Sequence, residues 1–157
     1  MKSKNLILIP CSLNKRTGGE EKYDNDQRLC NGLLLPDSTS ELLKKTRNKV
    51  RKWLEKSKDK IFNVPLSELP QNKEKIKYGK DFGGSGRAQY LPAAIRYDGR
   101  LFQTLLQGNN EQPPISPLMD ANHHILIVSV LYGLLLPEEY IQLYSCPLDR
   151  KLESFHL

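Results

Sequence analysis

The chain has no apolar segment approaching the roughly 20 residues that cross a bilayer, so nothing in it reads as a membrane span. Cysteine is scarce. Cys11, Cys30 and Cys146 are an odd number without CxxC spacing, which excludes a disulfide framework and a recognisable zinc set. His123, His124 and His156 add no metal-ligand spacing, and adjacent histidines in an extended segment point to opposite faces. No metal is expected. There is no GK[ST] and no GxGxxG, so Walker-type and dinucleotide-binding loops are excluded and no cofactor is expected. The opening "MKSKNLILIP" looks like a signal peptide, but its apolar run is too short and no small-residue cleavage site follows. A cytoplasmic protein that begins with a strand is expected.

What is present is basic charge. The 157 residues suit one domain with a sizeable core and carry a net charge of +6. From Lys44 to Lys60 nine basic residues face only Glu55 and Asp59. Such a surface suits nucleic acid through phosphate contacts and counterion release, and it reads equally as a solvated helix face.

The periodicity gives an α/β outline. "NLILIP" (5–10) is a short apolar run, expected as a strand buried on both faces. Residues 37–60 carry a capping box at Ser38 and Glu41. Leu42, Leu43, Thr46, Val50, Trp53 and Leu54 form one apolar stripe, so a helix is expected with a basic face to solvent. A brief strand is expected before Pro65, a mobile glycine-rich loop over 71–89, and a helical turn opened by Pro92 with a break at Asp98-Gly99. "HILIVSVLYGLL" (124–135) is the second core strand, and 137–149 is more extended. Residues 25–35 and 109–122 read as connections. The fold class is α/β: a single domain over 1–157, with a mixed or mostly parallel sheet and flanking helices.

Three places carry candidate chemistry. The loop "PCSLNKR" sets Cys11, Ser12, Lys15 and Arg16 at a strand's carboxyl end, where open α/β sheets hold ligands. A thiol between cations gains thiolate character, whereas a buried Cys11 is a small filler. "FGGSGR" (82–87) invites a phosphate-loop reading but fits a flexible loop better, with Arg87 as an anion clamp. In "VSVLYGLLLP" the Tyr132-Gly133 turn presents a phenol at the sheet edge. Tyr132 and Tyr144 are then placed to stack on a base, or they line a half-buried rim.

Two segments resemble the YaaA family of peroxide-stress proteins. The first has Pro92, Ala94, Ile95, Tyr97, Gly99, Phe102 and Leu105. The second has Ser129, Leu131, Tyr132, Gly133, Leu134, Leu135, Pro137, Ile141, Gln142 and Tyr144. The opening "IPCSLNKR" departs from the family's usual Ser-Pro-Ala-Lys stretch and is similar to shorter relatives with Cys-Ser…Lys there. Family members continue further, and the unfinished "DRKLESFHL" suggests a C-terminal truncation.

The resemblance implies an α/β fold with a basic cleft, a peroxide-stress role and DNA affinity. The expected DNA or ligand contacts are Ser12, Lys15, Arg16, Arg87, Tyr132, Gly133 and Tyr144. The alternative is an enzyme acting on a nucleoside, nucleobase or nucleotide, with Cys11 or Ser12 as nucleophile or Tyr132 as acid. Its partner would be a nucleotide-like small molecule.

Overall fold

The computed structural model describes residues 5–21, 23, 37–106 and 124–148. The expected connections over 25–35 and 109–122, the C-terminal helix start, Cys30, His123 and His156 lie outside the described residues, as do the side chains of Ser38 and His124.

Strand β1 (Leu6–Pro10) pairs in parallel with β5 (His124–Ser129), with Leu8 opposite Leu126. Strand β5 turns back into β6 (Gly133–Leu135), antiparallel, giving a mixed sheet of order β1-β5-β6. The turn needs Gly133, whose φ of +73° suits a residue without a Cβ. Parallel pairing brings the loops that follow β1 and β5 to the same end of the sheet. The Cys11 amide continues the ladder, donating to the Val128 carbonyl at 2.9 Å.

One expectation fails at β1. Leu6 and Leu8 are 62% and 56% exposed, so one face of this strand, at the edge of the described sheet, is open rather than covered. A continuous apolar run does not by itself say how many layers cover it.

Helix α1 runs from Asp37 to Leu54, six residues short of the expected end. Its inner face holds Val50 and Leu54, but also Arg47 and Arg51, all buried. Two of the basic residues read as a solvent face are therefore inside. Arg47 donates through Nη1 to Glu139 Oε1 at 2.7 Å and through Nε to the Tyr132 carbonyl at 2.8 Å. Exposed Leu42 leaves the apolar stripe.

The expected strand before Pro65 is a hairpin, β2 (Lys60–Ile61) with β3 (Val64–Pro65), antiparallel. Its two turn residues, Phe62 and Asn63, have φ of 50° and 66°.

The segment 71–89 is pinned rather than free. The Asn72 amide group donates to the carbonyls of Leu66 (2.8 Å) and Ser145 (2.7 Å). Gln142 brackets Lys77, donating to its carbonyl (2.9 Å) and accepting from its amide (2.7 Å).

Strand β4 (Tyr90–Pro92) pairs antiparallel with β7 (Tyr140–Gln142). Pro92 opens the short helix α2 (Ala93–Arg96), and α3 (Arg100–Leu106) follows the break at Asp98-Gly99 as expected. The core gathers Leu54, Ile127, Leu135 and Ile141, each wholly buried, with Tyr97, Tyr132 and Tyr144 beside them. Each such aliphatic side chain contributes about 1.5–3 kcal/mol by leaving water.

Candidate functional site

The loop after β1 is strapped across β4 and α2. The Asn14 carbonyl accepts from the Asp98 amide (2.9 Å), the Arg16 amide donates to the Arg96 carbonyl (2.8 Å), and Glu20 exchanges both backbone bonds with Tyr90 (2.8 and 3.1 Å). Gly99 permits this approach, because a Cβ there would lie 2.6 Å from Ser12 Oγ.

The strap turns Lys15 inward. Its ammonium donates to the Ser12 carbonyl at 2.8 Å and lies 4.0 Å from the Tyr144 ring centroid and 5.3 Å from that of Tyr97. Both distances are within cation–π range. Burial lowers its pKa from 10.5 to about 8, against the pull of the Cys11 and Cys146 thiols. Cys146 is buried, and desolvation pushes its thiol up to about 12.

Beneath the lysine the hydroxyls form a chain. Tyr97 and Tyr144 share a hydrogen bond at 3.0 Å, Tyr144 and Ser129 share one at 2.8 Å, and Ser129 Oγ accepts the Tyr132 amide at 3.1 Å. Burial raises the pKa of both Tyr97 and Tyr144, so the chain stays protonated.

A second buried group lies on the other side of Tyr132. Asp81, 1% exposed, accepts from the Tyr132 hydroxyl (2.7 Å), the Tyr90 hydroxyl (3.1 Å) and Gln142 Nε2 (2.8 and 3.1 Å). Desolvation raises its pKa from 3.8 to about 6, although those hydrogen bonds pull downward. Among the described residues no cation pairs with it.

The open space lies to one side. A cleft of about 380 Å³ is lined by Thr17, Gly18, Lys75, Lys77 and Arg87, with Glu21 and Glu74 also on its walls. That volume is in the range of small-molecule sites. Behind the Gly18 wall sits Arg96, fully buried. Its guanidinium donates to the carbonyls of Arg16 (2.5 Å), Gly18 (3.1 Å) and Gln89 (3.3 Å).

The expected site residues therefore divide. Cys11, Ser12 and Lys15, all half-buried, come together over buried Tyr144. Arg87 belongs to the cleft, away from them. Arg16 is tied to Asp98 by a 3.1 Å ion pair. Tyr132 and Tyr144 are each 1% exposed, so neither ring offers a face on which an incoming base can stack. The reason is the buried polar network. Asp81 and Ser129 draw both hydroxyls inward, so the Tyr-Gly turn hides its phenol instead of presenting it. Exposed Gly133 marks the turn alone.

The "FGGSGR" loop is not a phosphate cradle. The Gly84 and Gly86 amides are spent on the carbonyls of Gly79 and Tyr78, both at 2.8 Å. Sequence reasoning missed Asp81, Arg96, Lys75, Lys77 and Thr17 as site residues. Only the paired glycines of "TGGE" (17–20) carry a local signal.

Neither the search of curated proteins nor that of solved structures gave a match. The family model for peroxide stress protein YaaA matches residues 6–156, so it takes in the strap, the lysine cluster and the cleft together. The chain belongs to the YaaA family and is a peroxide stress protein of that type.

Proposed function

We propose that this peroxide stress protein binds DNA through its basic surface. The carrying observation is a lysine stripe. Lys45, Lys49 and Lys52 follow one another by four and three residues on α1, all exposed, opposite buried Val50 and Leu54. Lys56, Lys58 and Lys60 continue the positive surface past the helix, also exposed. Lys75, Lys77 and Arg87 add three cations at the cleft. Phosphates would meet these groups without base readout, since the tyrosines are enclosed. Binding is then sequence-independent and falls steeply with salt.

Fluorescence anisotropy on duplex DNA over a salt series tests this. The log–log slope is expected at about −0.9 per phosphate neutralised. A K45E/K49E/K52E variant is expected to flatten it by about two to three contacts. A flat salt dependence in the unmodified protein refutes the reading.

A second reading draws on Lys15. An amine with a pKa of about 8 beside a hydroxyl chain suits an enzyme acting on a nucleoside, nucleobase or nucleotide. Thermal shifts with a panel of such compounds test it, and no shift across the panel removes it.

A further inference from the structure

The walls of the cleft are prepared for an anion in a way that its side chains alone do not show. Among the described residues, none accepts a hydrogen bond from the amides of Thr17, Gly18 or Gly19. These are three successive donors without an acceptor among the described residues. Gly18 and Gly19 hold φ of +79° and +122°, and a Cβ on Gly19 would lie 2.5 Å from the Tyr90 carbonyl oxygen. Successive amides in such turns make anion-binding concavities.

Arg96 sets their direction. It holds the Arg16 and Gly18 carbonyls from behind. In a trans peptide the N–H points opposite the C=O, and no peptide here is cis. The Thr17 and Gly19 amides therefore point away from Arg96, and Thr17 and Gly18 line the cleft. Lys75, Lys77 and Arg87 complete that lining, and among the described residues none of the three is in an ion pair.

We propose that this cleft binds a phosphate monoester carried by a hydroxylated small group, such as a sugar phosphate or the 5′-phosphate of a nucleotide. The Thr17 and Gly19 amides and a guanidinium match the oxygens of a terminal phosphate, whose charge near neutral pH is about −1.5 to −2. A bridging phosphodiester brings one charge. Glu21 and Glu74 would repel a run of phosphates but accept hydrogen bonds from sugar hydroxyls. The volume of about 380 Å³ holds one nucleotide-sized group rather than a duplex. This deepens the DNA reading in one respect only: the source of the phosphate is either a free mononucleotide or the end of a DNA strand.

Isothermal titration calorimetry decides. The ligands are a nucleoside 5′-monophosphate, the unphosphorylated nucleoside, and a short single-stranded oligonucleotide with or without a 5′-phosphate. The monophosphate is expected to bind one to one, at least about tenfold tighter than the nucleoside. Its affinity should rise from pH 5.5 to 7.5 as the second phosphate proton leaves, near pH 6. R87A is expected to lose about tenfold, and because Arg87 is exposed and in no ion pair among the described residues its thermal unfolding should be unchanged.

A preference for the 5′-phosphorylated oligonucleotide identifies a strand end as the source. Binding of the mononucleotide with no such preference identifies a free ligand. Equal binding with and without phosphate, or full binding by R87A, overturns the proposal. The K45E/K49E/K52E variant separates the two readings. It should lose duplex binding yet keep the monophosphate, so either can fail alone.

Discussion

Asp81→Asn tests the account of the buried polar network. Asp81 is enclosed without a cation among the described residues, and its carboxyl is raised to about 6 against 3.8. A raised carboxyl favours the protonated form in the folded state. Its contribution to stability is complete below about pH 4 and is lost as pH rises through 6. At 1.36 kcal/mol per pH unit, the gap between 3.8 and about 6 amounts to about 3 kcal/mol by pH 7. Tyr90 and Tyr132 do not contribute in that window, because burial and the carboxylate raise both hydroxyls.

Asparagine keeps the shape and removes the charge. The assay is urea unfolding of both proteins at intervals from pH 4 to 7.5, read as the stability difference, wild type minus variant. Taking the difference cancels every other titrating group. It is expected to fall by about 3 kcal/mol across the window, so the variant gains on the wild type toward neutral pH. A difference that stays level shows no net shift, and one that grows in favour of the wild type as pH rises shows a carboxylate stabilised by its neighbours; either refutes the reasoning.

Three further outcomes follow from the same packing. Competitive acylation with mass spectrometry should find Lys15 reacting with a midpoint near pH 8, where burial sets its pKa; a midpoint above 10 removes the buried-amine picture. Arg47→Ala leaves Glu139 without its 2.7 Å partner and is expected to lose about 3–5 kcal/mol in urea unfolding; a loss under about 1 kcal/mol contradicts the burial of that pair. The hairpin turn at Phe62 and Asn63 holds both residues at positive φ, and Phe62 is 84% exposed. The F62N/N63G variant is therefore expected to gain about 1 kcal/mol by the same assay, and a loss counts against the turn geometry.

The fold was legible where local pattern and tertiary contact agree. The two apolar runs did pair, in register and in parallel, and Pro92 and Asp98-Gly99 did divide the helical stretch. Burial was not legible. "LILIP" contains nothing that says whether one or two layers cover it. The spacing of α1 could not show that Arg47 would turn inward, because that depends on a carboxylate ninety-two residues away. The glycine-rich segment 82–87 misled for a related reason. Gly84 and Gly86 serve close approach to Tyr78, whose carbonyl oxygen would lie 2.2 Å from a Cβ on Gly84.

The site shows the same limit more sharply. Residue types do reveal which groups are able to bind an anion, and Lys15, Arg16 and Arg87 were chosen on that ground. Direction is what decides, and direction is set at long range. The Thr17 and Gly19 amides point away from Arg96 because its guanidinium, eighty positions from Arg16, holds the Arg16 and Gly18 carbonyls. Lys15, two residues before Thr17 on the same strap, faces inward because Tyr97 and Tyr144 supply ring faces from two other segments. One short loop thus turns a cation onto two tyrosine rings and two amides away from Arg96. The choice between them rests on side chains that no reading of the loop's own residues contains. A Lys side chain at position 96 would carry the charge but not the fork that reaches four carbonyls at once. The guanidinium itself, more than the positive charge, therefore fixes which way the strap's peptides point.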